Sequence, residues 1–236
     1  MKIEEHLKKR YLYLKKKNLP KLFYFFFQFL KSKIISRKLY SNWGIDLLIK
    51  DILKKIKKGI YIDVGCHHPL INNNTNILYK NGWKGINIDL DFNSIDMFNY
   101  FRPRDFNIDV ALSNREGFTN LYFFHNRAAK NTITKSRGKG AKSIKSIKIN
   151  ILNNIIKKFK FKINNIDFLS IDVEGNELNV LKGLNFNKYK PKIIAIEFIK
   201  PNVKEFYQHN IKDILKSDIY KFMINKRYKL ANWIHD

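Results

Sequence analysis

Residues 58–236 are predicted to form an α/β fold, with a mostly parallel sheet and helices on both of its faces. From Gly59 onward, short apolar strands alternate with helical segments, a pattern that is typical of βαβ units. Four predicted strands also finish near an aspartate, namely Asp63, Asp89, Asp109 and Asp172. Because ligands bind beyond the carboxyl ends of parallel strands, these aspartates predict a functional edge of the sheet.

The individual elements follow from apolar runs and turn residues. Residues 1–57 are predicted to be a helical extension, since charged flanks surround the aromatic segment 22–30 and no glycine precedes Gly44. Strands are predicted at 60–64, 84–89, 106–112, 121–124, 166–172, 192–198 and 228–234. Helices are predicted at 74–81, 93–101, 150–159, 176–184 and 204–226. The basic, glycine-containing segment 127–142 is predicted to be a mobile loop.

Composition favours a folded domain with an appendage. A hydrophobic content of 44% excludes wholesale disorder. The single cysteine, Cys66, excludes an intramolecular disulfide and fits a reducing, cytoplasmic setting. The first residues show no signal-peptide pattern. Segment 22–30 is strongly apolar but far shorter than the roughly 20 residues of a spanning helix, so it is expected to lie on a membrane surface at most.

The net charge of +26 fits a polyanionic partner, but it has a second explanation. Only eight of the 46 basic residues are Arg, and the abundance of Asn, Ile, Phe and Tyr is typical of an A/T-rich coding sequence. Since Arg is preferred for bidentate phosphate recognition, the excess of Lys favours a diffuse positive field. Nucleic acid is therefore not the expected partner, and peripheral association with the inner face of an anionic membrane is the alternative.

The strand predicted at 166–172 ends at the first of three carboxylates, and these define the candidate catalytic site: Asp172, Glu174 and Glu177. Asp172 or Glu174 is the candidate general base for a hydroxyl nucleophile, while Glu177 and Glu197 would orient substrate hydroxyls. Acidic residues in a first helical turn can instead complement the helix dipole, and we favour this interpretation for Glu177 taken alone. A divalent cation held by these oxygens ranks second, so no metal is assigned.

The first two strand ends indicate a nucleoside site. Gly65 would let a ligand approach the backbone next to Asp63, and Asp89 can accept hydrogen bonds from ribose hydroxyls. The fingerprints G-x-G-x-x-G and G-x-x-x-x-G-K-[ST] are absent, which disfavours dinucleotides and ATP. S-adenosyl-L-methionine is a nucleoside without phosphate and fits better, with Asp109 placed to meet its adenine amino group. Further candidate cofactor contacts, for which simple packing is the alternative, are Cys66, His67 and Val110.

Three segments carry a more specific pattern: Asp63-Val-Gly-Cys-His-His-Pro69, Gly82-Trp-Lys-Gly-Ile-Asn-Ile-Asp89 and Phe168-Leu-Ser-Ile-Asp-Val-Glu-Gly-Asn-Glu177. Together they resemble the FkbM family of S-adenosylmethionine-dependent methyltransferases, over roughly residues 59–234. The resemblance implies a class I, Rossmann-like methyltransferase domain that O-methylates a sugar, a glycolipid or a secondary metabolite. Carried over by position, it implies cofactor contacts at Asp63, Gly65 and Asp89, and an acidic site at Asp172, Glu174 and Glu177.

Two positions depart from the family pattern, and two other functions compete. Asp89 stands where the family usually has Glu, and Pro69 stands where many methyltransferases have another Gly. An RNA 2′-O-methyltransferase would account for the positive charge. A non-catalytic protein that binds anionic membrane through its N-terminal helix would account for the aromatic segment.

Overall fold

The computed structural model describes residues 19–35, 40–41, 44–125, 130–159, 165–198 and 211–234. In this part of the chain the strands are β1 Ile60–Val64, β2 Lys84–Asp89, β3 Phe106–Asp109, β4 Ala111–Leu112, β5 Gly117–Phe123, β6 Ser143–Asn150, β7 Phe168–Ile171 and β8 Ile193–Ile196. The α-helices are α1 Leu19–Ile35, α2 Ile45–Ile52, α3 Asn76–Lys80, α4 Phe92–Phe101, α5 Leu152–Lys158, α6 Glu177–Lys182, α7 Ile211–Lys216 and α8 Asp218–Asn225. The predicted α/β fold with an N-terminal helix is confirmed.

A five-stranded parallel sheet forms the centre of the fold, in the order β3-β2-β1-β7-β8. The chain builds outward from β1 to β3 and then returns to the other side of β1 through β7 and β8. The strand order therefore reverses between β1 and β7, which is the point where open α/β sheets bind ligands. Val64 is level with Ile88 in β2 and with Ile171 in β7, so Gly65, Asp89 and Asp172 emerge at one edge.

Alternate residues of β1 pack into cores on opposite faces of the sheet. Ile62 and Val64 lie in the larger core, together with residues of α5, α6 and α8. Tyr61 lies in the smaller core, together with residues of α2 and α3. Because helices cover both faces, the central strands are almost wholly buried and their sequences are nearly continuous apolar runs.

A small second sheet, in the order β4-β6-β5, differs from the prediction. The predicted strand 106–112 is broken at Val110, whose N–H donates to the carbonyl of Asp89 at 2.8 Å, and its last residues form β4 in the second sheet. Strand β6 pairs antiparallel with β5 and was not predicted. Most of its residues before Ile149 are exposed or half-buried, so the sequence lacks the apolar run that marks a buried strand.

The C-terminal elements also differ from the prediction. Within the helix predicted at 204–226, residues 204–210 lie outside the described part, and the remainder is two helices separated at Ser217. The Ser217 hydroxyl accepts the N–H of Tyr220 at 3.1 Å and so caps α8. The prediction of a strand at 228–234 was wrong, since residues 228–234 form neither a strand nor a helix. Tyr228 instead packs against Phe186 and donates its hydroxyl to the carbonyl of Pro191, so the chain passes over the core without pairing to β8.

The N-terminal helix α1 packs on the sheet domain through one of its faces. Phe25 is 1% exposed, and its ring lies 5.1 Å from that of Tyr100 and 6.1 Å from that of Phe101. Lys21 forms an ion pair with Asp96 in α4. Among the described residues, no helix combines the length and the apolar character needed to cross a bilayer.

Candidate active site

A cleft of about 250 Å³ opens at the edge of the sheet where β1, β2 and β7 end. Its lining combines polar side chains with apolar ones, a composition that is typical of a small-molecule site. Of the site residues predicted from the sequence, the structure brings six into this lining: Gly65, His67, Asp89, Val110, Asp172 and Glu174. The predicted cofactor side and the predicted acidic side therefore share one cleft.

Gly65 joins the two sides of the cleft. Its φ of +78° lets the chain leave β1 and turn toward β2, where the N–H groups of Gly65 and Cys66 donate to the carbonyl of Ile88 at 2.8 and 3.2 Å. A Cβ atom at this position would lie 1.6 Å from the carbonyl oxygen of Asp172. The acidic side can therefore approach the β1 turn this closely only because residue 65 has no side chain.

Asp89 organises the turn on the cofactor side. Its two carboxylate oxygens accept the N–H groups of His67 and Asp91, each at 2.8 Å. Burial raises the pKa of Asp89, and these two hydrogen bonds oppose the rise. The bond from His67 also helps to hold that residue at φ +49°, a conformation that is rare for a side-chain-bearing residue. Each Asp89 oxygen keeps one lone pair that could accept a ligand hydroxyl.

Asp91 lines the cleft but is not among the site residues predicted from the sequence. One of its carboxylate oxygens accepts the N–H of Asn93 at 2.9 Å and caps α4. The other oxygen, Oδ2, is buried and has no hydrogen-bond partner in the structure. A buried acceptor without a partner is costly, so a ligand donor at this position would be stabilising. Its position just after the strand predicted at 84–89 was a usable signal. An aspartate before a helix is, however, already explained by helix capping.

Asp63 lies outside the cleft, in an internal network. Its Oδ2 accepts from the Asn73 amide at 3.0 Å and from the Thr75 hydroxyl at 2.7 Å. Arg102 is fully buried and donates to the same two residues, to Thr75 Oγ1 at 2.8 Å and Asn73 Oδ1 at 2.6 Å. Burial raises the pKa of Asp63, and its hydrogen bonds oppose the rise. The structure thus gives Asp63 the role of fixing the loop 65–75 and not of facing a ligand.

Two more candidate cofactor contacts also lie outside the lining. Cys66 is buried against Ile95 and Phe98, and burial raises the pKa of its thiol well above the usual value. Asp109 is exposed at the end of β3, while its neighbour Val110 lines the cleft. Beyond the end of β3 the cleft is therefore lined by the apolar side chain of Val110, where an aspartate contact is predicted from the sequence.

On the acidic side, Asp172 is hydrogen-bonded to Glu197, which follows the end of β8. Burial raises the pKa of Glu197 to about 10, and the nearby charge of Asp172 adds to the rise. Burial also raises the pKa of Asp172 to about 7, whereas the hydrogen bond from Glu197 lowers it. Because Asp172 is open to the cleft, solvent limits this rise. The pair as a whole therefore binds protons at higher pH than two separate carboxyl groups in water would.

Glu174 lies on a strained turn that other residues hold in place. Its φ is +59° and that of Gly175 is +98°. Glu177 is 3% exposed, and its carboxylate accepts the N–H groups of Val173 at 3.1 Å and Gly175 at 2.9 Å. Glu177 is therefore a positioning residue for the turn and does not line the cleft.

The segment 130–142 supplies the partners of Glu174. Arg137, in a short 3₁₀ turn, forms an ion pair with its carboxylate, and the Thr132 hydroxyl donates to its carbonyl at 2.8 Å. Burial raises the pKa of Glu174, and the Arg137 charge opposes the rise. This segment falls within the mobile loop that the sequence predicts over 127–142, and the sequence indicates no site residue in it. The usable signal was the presence of Arg, of which the chain has only eight.

Other cleft residues were missed because their side chains carry no distinctive chemistry. The structure adds Asn72, Leu90, Asn131, Ile133 and Asn176 to the lining. Asn176 precedes α6 and donates to the carbonyl of Leu112 at 2.8 Å, which ties the acidic turn to the second sheet. Such contacts join segments more than 60 residues apart, so spacing in the sequence could not indicate them.

Asp172, Glu174 and Glu197 each place one carboxylate oxygen within 4.8 Å of the others. Oxygen atoms at this spacing can hold a hard divalent cation. Their mutual repulsion is reduced in part, since Glu174 pairs with Arg137 and the pKa values of Asp172 and Glu197 are both raised, which favours their protonated forms. Both a proton shared between Asp172 and Glu197 and a cation held by the three carboxylates therefore fit this arrangement, and Glu197 Oε2 is buried without a hydrogen-bond partner among the described residues.

The raised pKa of Glu197 makes stability depend on pH. A carboxyl whose folded pKa lies above its unfolded value of 4.5 contributes stability at low pH, and this contribution is lost as the pH rises toward about 10. Glu197→Gln removes this loss, so we expect the variant to gain unfolding free energy over the wild type between pH 5 and 9 in urea titrations. The matched control, the exposed Glu116→Gln, should show no such trend. If the unfolding free energy of both variants depended on pH in the same way, the raised pKa of Glu197 would be contradicted.

Comparison with known proteins agrees with this site. The family model of the methyltransferase FkbM domain matches residues 63–230. No curated protein and no solved structure gives a significant match. The matched range includes the ends of β1, β2 and β7 and the acidic turn, and it confirms the resemblance that the motifs predicted. Because the match extends over more than two thirds of the sequence, the chain belongs to the FkbM methyltransferase family.

Proposed function

We propose that this methyltransferase uses S-adenosyl-L-methionine and O-methylates a hydroxyl of a sugar, a glycolipid or a secondary metabolite. The observation that supports this most directly is the single cleft that Asp89 and Asp172 share at the reversal point of the strand order. A methyl transfer needs the donor and the acceptor side by side in a fixed geometry. One cleft with a nucleoside side and a carboxylate side meets that need.

The cofactor side fits a nucleoside that carries no phosphate. Asp89 and the unpartnered oxygen of Asp91 are acceptors for ribose hydroxyls, and apolar residues such as Leu90 and Val110 can contact a base. Among the described residues, none that lines the cleft is Lys or Arg, although the net charge is +26. Carboxylates without a cationic partner favour a positively charged ligand over a phosphate. When bound, the cofactor supplies an electrophilic methyl group on its sulfonium.

The acidic side fits a hydroxyl acceptor. An alcohol is a weak nucleophile at neutral pH, so a base within hydrogen-bond reach assists the attack. Asp172 is open to the cleft and its pKa is raised to about 7, which suits a base that works near neutral pH. Glu174 is already paired with Arg137, which leaves it the role of orienting acceptor hydroxyls.

An RNA 2′-O-methyltransferase is the second candidate, and the net charge of +26 favours it. The cleft itself disfavours it, since its described lining contains the carboxylates of Asp89, Asp91 and Asp172 and no Lys or Arg that could bind the phosphates flanking a ribose hydroxyl. RNA retention that depends steeply on salt, together with methyl transfer to RNA, would support this candidate over the first.

Calorimetric titration with S-adenosyl-L-methionine tests the cofactor side. We expect the wild type to bind, and Asp89→Ala to bind at least about tenfold more weakly, because it loses a charged hydrogen-bond acceptor. Asp109→Ala is the matched control, since Asp109 is level with Asp89 on the adjacent strand but lies outside the lining. Thermal unfolding of both variants separates a local effect from a loss of folding. Absence of heat with the wild type would refute the proposed function.

A further inference from the structure

Helix α1 has one buried face and, opposite to it, one exposed apolar face. One face is buried against the sheet domain and includes Phe25, Gln28 and Ser32, spaced three and four residues apart. The other, which we call the outer face, remains 43–77% exposed and consists of Leu19, Phe23, Phe26, Phe27, Leu30 and Ile34. A surface helix normally presents polar residues to water, and a contiguous aromatic patch marks an interaction surface.

The buried face attaches α1 to the loop that follows β1. Gln28 Oε1 lies 3.1 Å from His68 Nε2. His68 Nδ1 accepts the N–H groups of Leu70 and Ile71 at 3.0 and 3.1 Å, so the proton must be on Nε2 and is donated to Gln28. Burial lowers the pKa of His68 to about 3, which keeps this arrangement at physiological pH. The exposed orientation of the outer face is thus fixed by the fold.

Charge indicates what covers the outer face. Twelve of the first 40 residues are Lys or Arg and only two are acidic. Lys31 and Lys33 are exposed and flank the end of the aromatic run, from which their ammonium groups can reach a polar interface. Aromatic residues beside a cluster of basic residues are typical of helices that lie in the surface of an anionic membrane.

We propose that the outer face of α1 binds the surface of an anionic lipid bilayer, with the helix in the interfacial plane. One face of the helix is occupied by the protein, and its described part has 17 residues, fewer than the roughly 20 that a span needs. A second copy of the chain is the competing occupant. The net charge of +26 on each copy opposes that association, whereas the same charge favours anionic lipid.

Vesicle flotation of the full chain tests this proposal. We expect binding to vesicles of phosphatidylcholine mixed with phosphatidylglycerol, little binding to phosphatidylcholine alone, and release at high salt. Phe23→Gln with Phe27→Gln should lower the partition coefficient at least about tenfold, because two aromatic rings no longer enter the interface. The matched control is Phe118→Gln with Ile144→Gln on the β5-β6 hairpin. Those side chains are 67% and 60% exposed, against 71% and 60% for Phe23 and Phe27, and the control should bind like the wild type.

Every other outcome overturns the proposal. Failure of the wild type to bind mixed vesicles would exclude a lipid partner. Equal losses in both double variants would show that binding does not depend on α1. A wild-type dimer by light scattering that becomes monomeric with Phe23→Gln and Phe27→Gln, without vesicle binding, would assign the face to a second copy. Circular dichroism and cofactor titration of the same variants check that the fold is intact.

Discussion

Replacement of Gly65 by alanine is expected to have the largest effect on this protein, with a loss of more than about 4 kcal/mol of unfolding free energy. The new Cβ would lie 1.6 Å from the Asp172 carbonyl oxygen, so the turn after β1 and the end of β7 must separate. Both are backbone segments of the central sheet and neither can move aside alone. Because small domains are stable by only about 5–15 kcal/mol, the variant should be poorly soluble or unfold at much lower urea concentration.

Gly82→Ala is the matched control for this prediction. Gly82 has nearly the same φ, +85° against +78°, but nothing lies within 4 Å of its added Cβ. The free energy of unfolding of Gly82→Ala should therefore fall by only about 1–2 kcal/mol, which is the cost of a left-handed conformation at a residue with a side chain. Urea unfolding of both variants separates the two contributions. Similar losses in both would show that conformation alone, and not contact with Asp172, requires glycine at position 65.

The fold was largely predictable because its central strands are buried on both faces. Burial makes them apolar runs, and the residues that end them are the first that can be charged, as Asp172 shows after Ile171. Strand β6 was not predicted, because it is formed by pairing with β5 and its own sequence, which contains two lysines, has no continuous apolar run. The break at Val110 likewise depends on a bond to Asp89, which lies 21 positions earlier in the chain.

The candidate site was predictable only in part, because a carboxylate at a strand end has the same sequence signature whatever it faces. Asp172 faces the cleft, whereas Asp63 accepts from Asn73 and Thr75 inside the protein. Glu177 likewise satisfies backbone N–H groups of its own turn. Arg137 was not predicted, because its partner Glu174 is 37 positions away and no local sequence pattern joins the two residues.

Asp172→Asn is expected to lower turnover by about 10²–10⁴-fold while cofactor binding persists, because the variant keeps the shape of the side chain and loses the base. Turnover is measured by the transfer of a labelled methyl group from S-adenosyl-L-methionine to a panel of sugar and glycolipid acceptors. Cofactor binding is measured by calorimetry. Glu174→Gln is the comparison variant. Its loss should be smaller, since Glu174 is paired with Arg137. The reverse order of the two losses would make Glu174 the base.

The pH dependence of turnover discriminates between a shared proton and a bound cation. If Asp172 is the base, log kcat/KM should rise with pH up to its raised pKa of about 7 and then level off. Glu197→Ala removes the hydrogen bond that lowers this pKa, so the rise should move to higher pH, whereas Glu197→Gln keeps a donor and should not move it. A divalent cation on Asp172, Glu174 and Glu197 would instead hold the carboxylates ionised, place the rise well below neutral pH and make turnover sensitive to EDTA.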